Sequence, residues 1–359
     1  MSLATSGADG DATAGSGGDD RFRGLAVATA ITTFLLILIG IYTASAGFGL
    51  TCETRWPLCD GAVFGLFPAN WGSFVEWFHR LVAMTAGFMI LGLAASAWRG
   101  GRPRRVRYAT ALATLVLPSQ IILGALTVTE YELLILAAHF TTALLIFLPL
   151  VAVAAWAVDG ASDAADRLGW YAGVPPVLLA AAIAVAAWTL PDGSVAERVG
   201  LVAGTALPLG VASLASGPAV RALAARSRPS RARTATGGAL VLLVAGVALT
   251  PGLLAATLSG TIAYYAASLA ALAALLAAGL WVADADADGS LRTVRLGAFA
   301  AAGLLAVQLV VSRVLFSVDT TTVLAVLNVV VLGVAVAVYR LSARLDGSGA
   351  SAGRAAGGD

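Results

Sequence analysis

Two histidines occur in this chain of 359 residues, and both stand inside apolar segments: His79 in SFVEWFHRLVAMTAGF and His139 in LLILAAHFTTALLIF. Titratable side chains within lipid are costly, and those that persist usually serve function. Two imidazoles on two different membrane helices are the smallest protein set that can hold a haem iron from both faces. Glu76 stands three residues before His79, so a helix would carry both on one face. There the carboxylate could accept a proton from a group reacting beside the macrocycle. The competing reading makes each histidine a hydrogen-bonded packing residue between helices.

Helices in lipid must do the positioning. Hydrophobic residues make up 59% of the chain and charged residues 12%, with a mean hydropathy of +0.89. An ordinary soluble domain carries about 25% charged residues, so the fold class expected is an all-α integral membrane protein. A net charge of +2 gives no electrostatic footprint for a nucleic-acid partner; lipid is the expected surroundings.

Ten spans are predicted, at roughly 24–46, 73–98, 108–129, 133–158, 170–190, 199–220, 237–256, 258–283, 296–318 and 320–339. Eight spans are the alternative, because Pro208, Gly210 and Gly217 interrupt the sixth. The two ends, residues 1–23 and 345–359, are rich in Gly, Ser and Ala and read as disordered tails. Every one of the 22 basic residues is arginine, and 18 of them fall on one side if the N-terminus is inside. The positive-inside rule then predicts a multi-pass protein of the cell membrane with both termini cytoplasmic.

That orientation puts the loop 47–72, with both cysteines of the chain, on the oxidising side. A disulfide between Cys52 and Cys59 can persist there, the alternative being two separate thiols. His79 and His139 each fall about six residues into a span running inward, hence some 9 Å below the outer surface. Equal depth is what a ligand held between two helices requires. Arg80, four residues after Glu76, suits an ion pair with it. Arg80 and Arg313 could instead hold haem propionates through their forked donors, and Arg313 could also snorkel to the surface or pair with Asp319. Gln120 reads as an interhelical hydrogen-bonding residue.

A weak internal repeat relates SQIILGALTVTEYELLILAAHF to VQLVVSRVLFSVDTTTVLAVLNV. It aligns Gln120 with Gln308 and sets Leu327, next to Asn328, where His139 would fall. The chain therefore reads as two tandem four-helix bundles, at 24–158 and 237–344, with a linking helix pair at 159–236.

The first bundle resembles the haem A synthase family of cytochrome oxidase assembly. The resemblance rests on Cys52-x6-Cys59 with Trp56-Pro57-Leu58, on Glu76-Trp77-Phe78-His79-Arg80, on Gln120-Ile121-Ile122-Leu123-Gly124-Ala125-Leu126-Thr127-Val128, and on His139, in that order. It implies that His79 and His139 are axial ligands of a substrate haem, that Glu76 is the catalytic carboxylate and that Cys52 and Cys59 are bridged. The implied reaction oxidises the C8 methyl of haem O, supplied by a haem O synthase, to the formyl group of haem A. The second bundle departs from the pattern: it has no histidine, so a haem b there is not expected. The electron acceptor, a quinone or another, and a homo-oligomeric state stay open. Competing functions are a bis-histidine cytochrome passing electrons, a non-catalytic haem chaperone and a transporter.

Overall fold

The computed structural model describes residues 9–52, 55, 59, 68, 70–130, 132–189, 194–248, 257–283, 289–314 and 326–341. Eleven α-helices carry these residues: α1 Asp9–Ser45, α2 Trp71–Arg99, α3 Arg104–Thr129, α4 Leu133–Val158, α5 Ala165–Thr189, α6 Val195–Leu201, α7 Leu207–Ala224, α8 Arg228–Ala248, α9 Leu258–Ala283, α10 Gly289–Val314 and α11 Val326–Leu341. The protein is an all-α integral membrane protein, as backbone physics in lipid requires of a chain without a closed barrel.

Among the described residues, a helix lies within each of the ten predicted spans. The sixth is divided into α6 and α7 by a π-helical turn, Val202–Ala206, just before Pro208. Among the described residues α1 to α5, α9 and α10 are long and apolar enough to cross a membrane, and α11 is a shorter apolar helix. Pro118, Pro149, Pro175, Pro176 and Pro218 lie inside helices. Membrane helices tolerate proline because neighbouring groups re-satisfy the freed carbonyls.

One expectation is corrected at the N-terminus. Residues 9–23, read from composition as tail, are the first turns of α1. Ion pairs anchor this extension: Asp19 pairs with Arg23 at 2.6 Å and also with Arg102, and Asp20 pairs with Arg167. Arg23 further donates to the carbonyl of Ala157 at 3.1 Å. Composition missed these because Arg102, Arg167 and Ala157 are distant in sequence. Residues 1–8 and the tail 345–359 lie outside the described residues.

The two halves share a core. Ile37, Leu38 and Ile41 of α1 and Phe140, Leu144 and Phe147 of α4 pack with Tyr264, Tyr265, Leu269 and Leu272 of α9 and Leu305 and Leu309 of α10. A polar clasp joins them at the arginine-rich end. Asp159, just past α4, accepts from Arg228 and from the buried Arg231 at 2.9 Å. Burial pushes the Asp159 carboxyl upward, but the two guanidiniums outweigh it and hold the group below the usual carboxylate range. Arg231 also lies over the ring of Trp281, whose indole N–H donates to the carbonyl of Ala155 at 2.8 Å. Of the linking helices, Leu168 and Ala172 of α5 and Ala224 of α7 pack with Trp281 and Ala278 at this same end. Leu179, Ile183 and Ala186 of α5 cover Phe74, Val75 and Phe78 of α2, which leaves the opposite face of α2 for the site.

Candidate functional site

α2 starts where Asn70 caps it, its side chain accepting from the backbone N–H of Ser73 at 2.9 Å. With that start, Glu76, His79, Arg80, Ala83, Met84 and Gly87 recur at helical spacing on one face. They line a cavity of about 610 Å³ enclosed by α1, α2, α3 and α4. His139 and Gln120 line the same cavity. The structure therefore brings together Glu76, His79, Arg80, Gln120 and His139.

Each imidazole lies within the first turns of its helix. His79 is eight residues past Trp71 and His139 six past Leu133, about 12 and 9 Å along their helices. Each ring lies against a glycine of a neighbouring helix. A Cβ at Gly40 of α1 would come within 2.9 Å of His79 Cε1, and one at Gly124 of α3 within 3.2 Å of His139 Cε1. A larger residue at Gly40 would force the His79 ring to shift, and one at Gly124 would crowd the His139 ring. His79 Nδ1 is buried and makes no hydrogen bond among the described residues. Such an orphaned polar atom is uncommon in a core and marks a place where a ligand or water belongs. On the other side, Gln120 Nε2 lies 3.3 Å from His139 Nε2, and Gln120 Oε1 accepts from the hydroxyl of Thr142. Thr142 thus fixes which end of the amide faces the imidazole.

Glu76 is 3% exposed, and its Oε1 accepts from Arg80 Nε at 3.2 Å and Nη2 at 2.7 Å. The ion pair expected from the i,i+4 spacing is present, and it does not exclude a role at the cavity, since Glu76 lines that cavity as well. Arg80 donates in addition to the carbonyl of Arg55 at 2.8 Å, so the guanidinium ties α2 to the cysteine-bearing loop.

Cys52 and Cys59 are bridged by a disulfide and both are buried. The loop is stitched to the start of α2: Ser73 Oγ donates to the carbonyl of Thr51 at 2.9 Å, and Cys59 Sγ lies 3.5 Å from the carbonyl of Ser73. Trp71 Nε1 donates to the hydroxyl of Tyr42 at 3.2 Å. Trp56, Phe64 and Phe67 of this loop lie outside the described residues. We expect thiol labelling of unreduced membranes to find neither cysteine and labelling after reduction to find both. Labelling without reductant would contradict the bridge.

Arg313 belongs to α10, but its side chain and Asp319 lie outside the described residues. Among those residues no group of three or more His, Cys, Asp or Glu side chains is disposed to hold a metal ion. Two imidazoles lining one cavity suit a metal whose remaining ligands come from a macrocycle. At the corresponding level of the second half, Gln308 Nε2 donates to Asn328 Oδ1 at 2.6 Å and to the Tyr264 hydroxyl at 3.0 Å. Tyr265 bonds to Ser312 at 3.0 Å. Gln308 and Asn328 thus repeat the Gln120 and His139 arrangement, which moves the equivalent of His139 from Leu327 to Asn328.

Sequence reasoning passed over Gly40 and Thr142. A lone glycine in the apolar run LLILIGIYT was a signal for close approach, while Thr142 offered none.

Fold and site together define a multi-pass helical-bundle protein with a paired-histidine cavity in its first four helices. No family model matches the chain, and no solved structure matches it. Over about a third of its length it is similar to haem A synthases. That of Bacillus licheniformis is 32% identical over 127 residues, 35% of this chain and 41% of that protein. That of Alkalihalophilus pseudofirmus is 34% identical over 122 residues, 33% of this chain and 41% of that protein. The chain is also similar to a protohaem IX farnesyltransferase of Haloarcula marismortui, 35% identical over 146 residues, 41% of this chain and 31% of that protein. It spans less than half the length of these curated relatives.

Proposed function

We propose that the chain is a haem A synthase-like membrane oxidoreductase that oxidises the C8 methyl of haem O to a formyl group. The observation that carries this reading is the convergence of both histidines of the chain and Glu76 on one cavity. The orphaned His79 Nδ1 and the glycine cradles at Gly40 and Gly124 support a flat ligand gripped from two sides. The similarity to proteins named for haem A and protohaem IX favours haem as that ligand.

In this reading α1 to α4 form the reacting unit, and His79 and His139 ligate the iron of the substrate. The bound haem would supply the redox chemistry: each of two hydroxylations of its methyl carbon by water releases two protons and two electrons, the electrons leave to a quinone or another acceptor, and the resulting diol loses water to give the formyl group. Glu76 accepts a proton released as the methyl carbon is hydroxylated, and Arg80 keeps the carboxylate aimed at the cavity. Gln120, oriented by Thr142, holds His139 Nε2 and would have to release that nitrogen for His139 to ligate iron. Cys59 and Arg55 of the disulfide loop are tied to α2 beside Glu76, through the Ser73 carbonyl and the Arg80 guanidinium. That end faces the oxidising side of the membrane and the arginine-rich end the cytoplasm. A histidine pair alone would equally serve an electron carrier; a buried carboxylate in the same cavity favours chemistry on the ligand.

The test is direct. The chain is produced in cells that make haem O, the haems are extracted, and their masses are determined. The formyl product is expected; haem O returned unchanged by a protein that binds it would leave the electron-carrier or chaperone reading.

A further inference from the structure

Beside His139 stands a side chain able to set which of its ring nitrogens can bind a metal. A neutral imidazole carries one proton, on Nδ1 or on Nε2, and only the bare nitrogen offers a lone pair. Gln120 Nε2 lies 3.3 Å from His139 Nε2. With the amide NH2 on that side, His139 Nε2 must accept, and the ring proton is on Nδ1. With the amide turned over, Gln120 Oε1 would meet Nε2, which would then have to carry the proton and could bind no iron.

Thr142, one turn beyond His139 on α4, chooses between the two. Its hydroxyl has a single proton and three acceptors in reach: Gln120 Oε1, the Ala138 carbonyl at 3.1 Å and the His139 carbonyl at 3.0 Å. The two carbonyls belong to the helix ladder, where each accepts a backbone N–H. Gln120 Oε1 has no other donor among the described residues, and leaving such an atom without a partner inside a protein is costly. The proton therefore goes to the amide oxygen, which leaves the NH2 for His139.

The second half supplies the comparison. Gln308 turns the same NH2 end to Asn328, which holds the place of His139. Val331 stands three residues after Asn328, as Thr142 does after His139, and it has no hydroxyl. Gln308 Oε1 is buried and makes no hydrogen bond among the described residues. The Asn328 carbonyl can only accept, so it orients the amide by itself. An imidazole nitrogen can accept or donate, and a third group must choose. The hydroxyl is present in the half that needs the choice made and absent from the half that does not.

We propose that Thr142, acting through Gln120, is a positioning residue that holds His139 in the tautomer with its lone pair on Nε2, the form able to ligate iron. Iron as the ligand rests on the reading of the site as a haem site; the tautomer does not.

Full-length protein labelled with nitrogen-15 histidine is reconstituted in lipid without haem, and its ring nitrogens are read by solid-state NMR. His79→Ala removes the one other imidazole of the chain and so assigns the signals of His139. The unaltered protein and Thr142→Ser should show a protonated Nδ1 and a bare Nε2, whereas Thr142→Val, of nearly the same shape, should show protonated Nε2 as well. A bare Nε2 kept unchanged in Thr142→Val, or a protonated Nε2 in the unaltered protein, would overturn the proposal. Proteins with both histidines are then titrated with haem O and followed by the low-spin optical spectrum. Thr142→Val should bind about ten-fold or more weakly, the usual cost of losing a group that orients a metal-ligating histidine, and Thr142→Ser within about two-fold of the unaltered protein. Once Gln120→Leu is in place, adding Thr142→Val should change nothing, because Thr142 has no amide left to act through. A further loss in that double variant would make Thr142 a packing residue and refute the relay. If the unaltered protein shows the bare Nε2 yet binds no haem through its histidines, the haem reading falls and the tautomer relay stands.

Discussion

Replacing either His79 or His139 with alanine is expected to abolish the low-spin bis-histidine spectrum of the haem-loaded protein. Both histidines line one cavity, and the chain contains no third histidine to take the vacated position. The loss should exceed the roughly 10- to 100-fold reduction in metal affinity that follows from removing a partner of a ligand, because here the ligand itself is removed. The two variants should behave alike, since each leaves one axial position open. Their folding should suffer little, because the rings border a cavity and alanine removes no packed neighbour on that side. Optical spectra of purified variants reconstituted with haem are the measurement. A bis-histidine spectrum retained by either variant would refute the assignment.

Glu76→Gln should keep bound haem and reduce conversion of haem O by about 10²- to 10⁴-fold, the usual contribution of a positioned proton acceptor. The substitution matters in its detail. Removing the carboxylate outright would leave Arg80, only 13% exposed, without its charge partner, and breaking a buried pair costs about 3–5 kcal/mol. Glutamine retains a carbonyl that accepts from the Arg80 guanidinium, so the tie to the Arg55 carbonyl should survive. Haem content and product mass are measured on the same preparation. Conversion at the unaltered rate would make Glu76 structural, and loss of haem altogether would make the Glu76–Arg80 pair a packing element rather than a catalytic one.

Much of this could be read from the residues in order. The helices followed from apolar runs of spanning length, and the i,i+3 and i,i+4 spacings placed Glu76, His79 and Arg80 on one face without reference to any neighbour. The equal depth expected of the two histidines came from counting residues at a fixed rise; in the structure His79 lies eight residues past the start of α2 and His139 six past the start of α4. The cysteine pair was legible because no other thiol competes for it. These are all short-range or counting arguments, and a helix keeps them true in any packing.

What the sequence by itself determined, then, is the set of helices and the constellation carried on each one. Only the tertiary structure decided how each helix is turned about its axis. In a soluble protein the apolar stripe announces the inward face, but in lipid the core face and the lipid face are both apolar. Nothing in the order of residues told that Phe74, Val75 and Phe78 would turn toward α5 and leave Glu76 and His79 to the cavity. The same holds for Gly40 against His79, for Thr142 holding Gln120, and for Asn328 rather than Leu327 meeting Gln308. Each is a contact between separate helices, chosen by the fit of side chains across an interface, and that fit exists only once all the helices are in place.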